Sequence, residues 1–162
     1  MENPWGNFWS MIGGLNVAGS NNVAGGMPYI CTDFNYTPDM ISNNYEDVGF
    51  NLPNEHGWIS AMGYGKEKYD WLYMPAACSS SANSLLPIGD GIWTVPNLTS
   101  VMTVAIGGSF GFNMECGPFY YAADRALNKT SRWNYGAKLL FIPTKNTIYT
   151  TNINKWKNYT GG

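Results

Sequence analysis

Two apolar runs, Val101 to Ile106 and Leu139 to Ile142, bracket a stretch that follows neither the twofold period of a strand nor the 3.6-residue period of a helix. The first run is the most strand-like segment of the chain, and the second is its expected antiparallel neighbour. Between them stand two turn signals, Gly107-Gly108-Ser109 and Gly117-Pro118-Phe119-Tyr120, and two aperiodic islands. One island is Phe112 to Cys116. The other scatters Tyr121, Ala122, Asp124, Arg125, Lys129, Arg132 and Trp133. Aromatic rings and charges set among Gly and Asn have the composition of a contact surface. A chain of this kind must hold two distant strands together and leave the residues between them on display.

The remaining scaffold reads as short strands and ordered loops. Aromatics make up 15% of the 162 residues, charges only 12%, and there are 19 glycines, a composition that favours strands and turns over helices. One domain of this length buries about 70% of the surface its unfolded chain exposes, so it needs no metal or disulfide to fold. One helix is expected, over residues 4–12: Asn3-Pro4 suits a cap and first helical position, Trp5, Phe8, Trp9 and Ile12 recur at helical spacing, and Gly13-Gly14 ends the run. Strands are expected at Leu15–Val17, Tyr29–Thr32, Gly57–Met62, Trp71–Pro75, Ile92–Val95 and, weakly, Thr147–Thr151. Asp33 to Pro53 reads as a long ordered loop. Trp5, Phe8, Trp9, Trp58, Trp71 and Trp93 fall in periodic runs and read as core; Phe112, Tyr121 and Trp133 read as displayed.

Several functional classes find no support. A net charge of −2 without a Lys/Arg cluster gives no nucleic-acid footprint. No apolar run is long enough to span a membrane, and the start MENPWGNFW lacks a signal-peptide pattern. Cys31, Cys78 and Cys116 are odd in number and widely spaced, which makes neither a disulfide framework nor a C-x-x-C site. His56, the single histidine, sits beside Glu55, but no G-x-S-x-G elbow or similar setting supplies it with a nucleophile. No catalytic residue, metal ligand or cofactor is assigned on this pattern. Calcium stays open, because Asp33, Asp39, Asn43, Asn44, Glu46 and Asp47 offer hard oxygen ligands in one loop, at spacings that match no EF-hand.

Three stretches carry a resemblance to a known family. Asn3 to Trp9, Ala105 to Phe110 and Tyr135 to Leu139 resemble, in order, the G-N-V-W-E-W-like, G-G-S-W and G-x-R-L stretches of the formylglycine-generating-enzyme-like branch of the C-type lectin fold. Within that branch the chain is most similar to variable proteins of diversity-generating retroelements and to phage or prophage tail proteins of gut bacteria. The resemblance spans residues 2–142. It departs at Ser10, where the family often has an acidic residue, at Phe110, which replaces tryptophan, and at Lys138, which replaces arginine and its bidentate geometry.

The resemblance implies an α+β, C-type lectin-like domain over residues 1–142, with short antiparallel strands, few helices and long ordered loops. A variable-type region would occupy 107–139 and a C-terminal extension 143–162. It implies a diversifiable ligand-binding surface of Gly111, Phe112, Asn113, Glu115, Tyr121, Ala122, Asp124, Arg125, Lys129, Arg132 and Trp133. The ligand would be a bacterial surface protein or glycan, the setting a phage tail or bacterial cell surface, and the assembly a homotrimer by analogy with tail fibres. The oxidase of this branch uses two nearby cysteines to hold copper. Only Cys116 stands in the corresponding region, so that activity is not expected. The rival readings are a structural tail subunit that uses the same surface for subunit contacts, and an enzyme built on His56 or on a degenerate oxidase site.

Overall fold

The computed structural model describes residues 5–19, 25–33, 35–37, 40–112, 116–126 and 134–136. Its regular elements are nine strands: β1 (Trp9–Ala18), β2 (Met27–Cys31), β3 (Tyr45–Asp47), β4 (Gly57–Tyr64), β5 (Tyr73–Ser79), β6 (Gly91–Thr94), β7 (Val101–Ile106), β8 (Tyr121–Arg125) and β9 (Tyr135–Gly136). They form one sheet in the order β3-β2-β1-β7-β8-β6-β4-β5, with β9 added to β1, and the sheet curls into a half-barrel. Neighbours are antiparallel except for β6 beside β8 and β1 beside β9.

This architecture overturns the expected α+β, lectin-like class. Among the described residues there is no α-helix, and the only helical pieces are 3-10 turns at Glu67–Tyr69 and Phe110–Phe112. The helix expected over residues 4–12 is replaced by the start of β1. Gly6 takes φ +78, outside any right-handed helix, and from Trp9 onward the backbone pairs with β7 and β9. The spacing of Trp5, Phe8, Trp9 and Ile12 comes instead from a strand that changes the face it presents.

That change is made within β1. Met11 lies opposite Ala105 but Asn16 lies opposite Thr103, so five steps along β1 answer two along β7. The three surplus residues are an odd number, and an odd slip reverses the face to which side chains point. Before the bulge, Trp9 and Met11 pack with Ala105 on one face; after it, Leu15 and Val17 join the main core on the other. Gly14 at the bulge takes φ +81, a conformation that favours glycine, and Gly13 beside it leaves room for the Tyr36 ring, 2.8 Å from where a Cβ would lie.

The main core lies on one face of the sheet, where Val17, Ile59, Met74 and Val104 are fully buried. Each such side chain contributes about 1.5–3 kcal/mol relative to exposure. Strands β2, β4 and β6 overlap the expected spans and β7 has its expected bounds, whereas β5 runs from Tyr73 to Ser79, beyond the expected end at Pro75. Both edges of β7 carry a described neighbour, β1 on one side and β8 on the other; the expected neighbour Leu139–Ile142 and the 143–162 extension lie outside the described residues. The stretch from Asp33 to Pro53 contains β3, which the aperiodic sequence hid.

The tryptophans depart furthest from expectation. Trp9 is buried, whereas Trp5, Phe8 and Trp71 are 50%, 41% and 64% exposed, and Trp58 and Trp93 are half-buried. Aliphatic residues dominate the main core, and several of the large rings collect on the other face of the sheet.

Asn16 ties that other face to the loop before β3. Fully buried, it donates through Nδ2 to the carbonyls of Thr37 at 2.7 Å and Met40 at 3.2 Å, and accepts from Thr103 at 3.4 Å. Asn16→Leu keeps the volume and removes the buried amide, which leaves the Thr37 carbonyl to the Tyr45 hydroxyl and the Met40 carbonyl to the Thr37 hydroxyl alone; the expected loss is about 1–3 kcal/mol in urea unfolding. An unchanged midpoint would show that the amide adds nothing to these contacts.

Candidate functional site

The face of the sheet opposite the main core carries a trough of aromatic rings. Trp9 from β1, Ala105 from β7, Ala122 from β8 and Tyr120 just before it form a second buried cluster, with Met11, Trp93 and Tyr135 packed against it. The Trp9 ring sits 5.5 Å from Tyr120 and 6.5 Å from Tyr135, nearly parallel to the latter. On the far side the His56 imidazole stacks on Trp93 at 4.7 Å and 18°.

Two pockets open along this face. One, of about 220 Å³, is lined by His56, Gly57, Trp58, Ser80, Gly91, Ile92, Trp93 and Tyr120. The other, of about 190 Å³, is lined by Trp9, Trp93, Ala122, Asp124, Arg125, Asn134 and Tyr135. Trp93 belongs to both and divides them.

Local sequence explains the arrangement. β6 alternates, sending Ile92 to the main core and Trp93 to the trough, beside Ala122 in the parallel ladder. In β8, Tyr121 and Ala123 join the core while Ala122 faces the trough. Its alternation then breaks: Ala122 lies opposite Ala105 and Arg125 opposite Thr103, three steps against two. This bulge lets the consecutive residues Asp124 and Arg125 line the same pocket. Gly91 provides the close approach on the other side, since a Cβ there would lie 2.8 Å from the Tyr120 ring. Tyr120 is held through its backbone. Its carbonyl accepts from Gly107 N–H at 2.9 Å, its N–H donates to Gly117, and Asp90 accepts from Phe119 N–H at 2.8 Å.

The electrostatics concentrate at one end. Arg125 holds the Asp124 carboxylate at 3.0 Å and its Nη1 also reaches the Asp124 carbonyl at 3.4 Å. The Asp124 side chain is 16% exposed and that of Arg125 41%. Arg125 Nε is buried and, among the described residues, meets no acceptor, which costs free energy. Ser80 shares a pocket with His56, but among the described residues the imidazole engages Trp93 by stacking and makes no side-chain hydrogen bond. Rings, a guanidinium, a carboxylate and an amide can stack on and hydrogen-bond to a ligand.

Of the sequence-predicted contact residues, Ala122, Asp124 and Arg125 come together in the trough. Gly111 sits in the exposed turn after Phe110, whose N–H donates to Asn7, and lines neither pocket. Asn113, Glu115, Lys129, Arg132, Trp133 and the Phe112 side chain lie outside the described residues. Tyr121 is a correction, because strand parity turns it into the core, where its hydroxyl donates to the Tyr73 carbonyl at 3.1 Å. Trp9, Trp93, Asn134 and Tyr135 are trough residues that the sequence reading assigned to the core or passed over. Alternation around Ile92 and Tyr121 was the available signal for Trp93 and Ala122.

The acidic loop is internally engaged. Asp33 accepts from Asn44 Nδ2 at 2.6 Å and from Asn35 N–H, which hold its carboxyl below the usual range. Lys68 and the Tyr69 hydroxyl do the same for Glu46, and Lys66 lies 2.6 Å from Asp47. Asp39 lies outside the described residues. Among those described, no group of three or more His, Cys, Asp or Glu side chains gathers as a metal site would need. All three cysteines are half-buried.

Burial pushes the Tyr121 hydroxyl from its ordinary value of 10.0 up to about 12. A phenol whose folded pKa lies above its unfolded one stabilises the fold below pH 10, and that stability is lost as pH rises through the folded value. The share of Tyr121 in the decline is about 2–3 kcal/mol between pH 10 and 12, so Tyr121→Phe, which keeps the raised Tyr45, Tyr69, Lys66 and Lys68, declines by that much less. Unfolding curves of both proteins across that range test it; parallel declines would refute the assignment. Comparison with protein-family models, with curated proteins and with solved structures finds no match to this chain.

Proposed function

We propose that this chain is a non-catalytic ligand-recognition module and that the aromatic trough divided by Trp93 is its binding site. The observation that carries the reading is the β8 bulge. It brings Asp124 and Arg125 side by side to the end of a ring-lined pocket, where the partly exposed guanidinium and the carboxylate meet. Held on paired strands, these groups lose little conformational entropy on binding. Three of the positions that the sequence resemblance marks as diversifiable, 122, 124 and 125, lie in this pocket, where substitution alters the lining while Tyr121 and Ala123 keep the core. The resemblance places such a module on a phage tail or bacterial surface, with a bacterial surface protein or glycan as its ligand.

A second reading has its own observation. Gly6 N–H donates to Gly107 and Phe110 N–H to Asn7, which gathers Trp5, Phe8 and Phe110, the last 60% exposed, at one end of the sheet. Phe8 and Phe110 meet edge to face at 6.2 Å. Exposed rings of this kind suit a contact between subunits.

Binding of labelled protein to a panel of gut bacterial strains separates the two. Trp93→Ala with Arg125→Ala, its fold verified by circular dichroism, is expected to reduce binding at least tenfold, while Phe8→Ala with Phe110→Ala leaves it intact. The reverse pattern, accompanied by a loss of oligomer in light scattering, would assign function to the exposed rings and refute the trough.

A further inference from the structure

We infer that the ligand of the trough is an uncharged oligosaccharide of at least two sugar units, one on each side of Trp93, bound without a metal ion. This rests on the recognition site proposed above and names the chemistry of what fills it. Each pocket, at about 220 and 190 Å³, falls below the lower end of about 300 Å³ for sites that enclose a drug-sized molecule. Each therefore accepts one ring-sized unit. The two are joined at one shared indole, which is the geometry for a repeating chain and not for a single compact ligand.

The lining narrows the chemistry. A pyranose presents C–H patches that pack on aromatic rings and a rim of hydroxyls that both donate and accept. The pockets pair rings with such partners: Trp9, Trp93 and Tyr135 with Asp124, Arg125 and Asn134 in one, and Trp58, Trp93 and Tyr120 with His56 and Ser80 in the other. Vicinal hydroxyls match the fork of a guanidinium and the two oxygens of a carboxylate. Arg125 already holds a carboxylate at 3.0 Å, which offsets its pull on a phosphate or sulfate and favours a neutral polyol. The floor is small where a flat ring must sit, with Ala122 in one pocket and Gly57 and Gly91 in the other.

The test is an array of neutral mono-, di- and trisaccharides and longer bacterial glycans, probed with the full chain, in parallel with intact cells pretreated with periodate or with protease. The expected result is no retention on monosaccharides and retention on one or more glycans of two units or longer. It is reduced at least tenfold by either Arg125→Ala or His56→Ala, unchanged by EDTA, and accompanied by periodate-sensitive cell binding. His56→Ala reports on one pocket and Arg125→Ala on the other, so loss with only one of them would refute the two-unit arrangement. Cell binding that Trp93→Ala abolishes but that resists periodate and yields to protease would overturn the carbohydrate and leave the recognition site standing. Absence of binding to arrays and cells alike would overturn both.

Discussion

Everything on both faces of this sheet depends on how β1 meets β7. A regular strand can present its apolar set to one side only, so a ten-residue strand with a single register would have to choose between the core and the trough. The three surplus residues around Gly13 and Gly14 remove that choice: the first half of β1 supplies Trp9 to one face and the second half Leu15 and Val17 to the other. The same break divides the partners of β1. Its first residues pair with β9 and its last with β2, so one edge serves two strands.

The trough follows from a second, smaller irregularity. Without the extra residue in β8, strict alternation would send Asp124 and Arg125 to opposite faces. The bulge sets a buried-end ion pair beside aromatic walls on a rigid strand instead of a loop. Alanines occupy positions 105 and 122 in the middle of the face, and larger side chains there would fill the space that the flanking rings enclose. What distinguishes this surface from an ordinary solvated sheet face is depth between large residues, produced by small ones.

Much of the scaffold was legible in the sequence and most of the site was not, for a shared reason. β7, β6 and the β4–β5 hairpin declare themselves through alternation and flanking Gly or Pro, which are local signals. The face to which Trp9 or Trp93 points is set by register with strands far away in the chain, and a bulge is invisible to any periodic template. The run Trp5, Phe8, Trp9, Ile12 shows the hazard: a face switch inside a strand imitates helical spacing, although the glycines at 6, 13 and 14 argue for extended backbone. Tyr121 failed as a displayed residue because its charged neighbours disguise a strand whose other face is core. Asp124 and Arg125 were found because charges amid apolar neighbours stand out whatever the register.

The strand order also governs when such a surface can come into being. Trp9 meets Tyr135 through a parallel ladder that joins the first strand to the last, and Trp93 meets Ala122 through another parallel pair that needs an intervening crossover. Contacts this distant in sequence form late and slowly, because the loops they close must be ordered before any packing offsets the entropy lost. No hairpin of this protein contains the trough in miniature. The trough is therefore a product of complete topology, and a partly folded molecule that already possesses β4 and β5 has yet to acquire it.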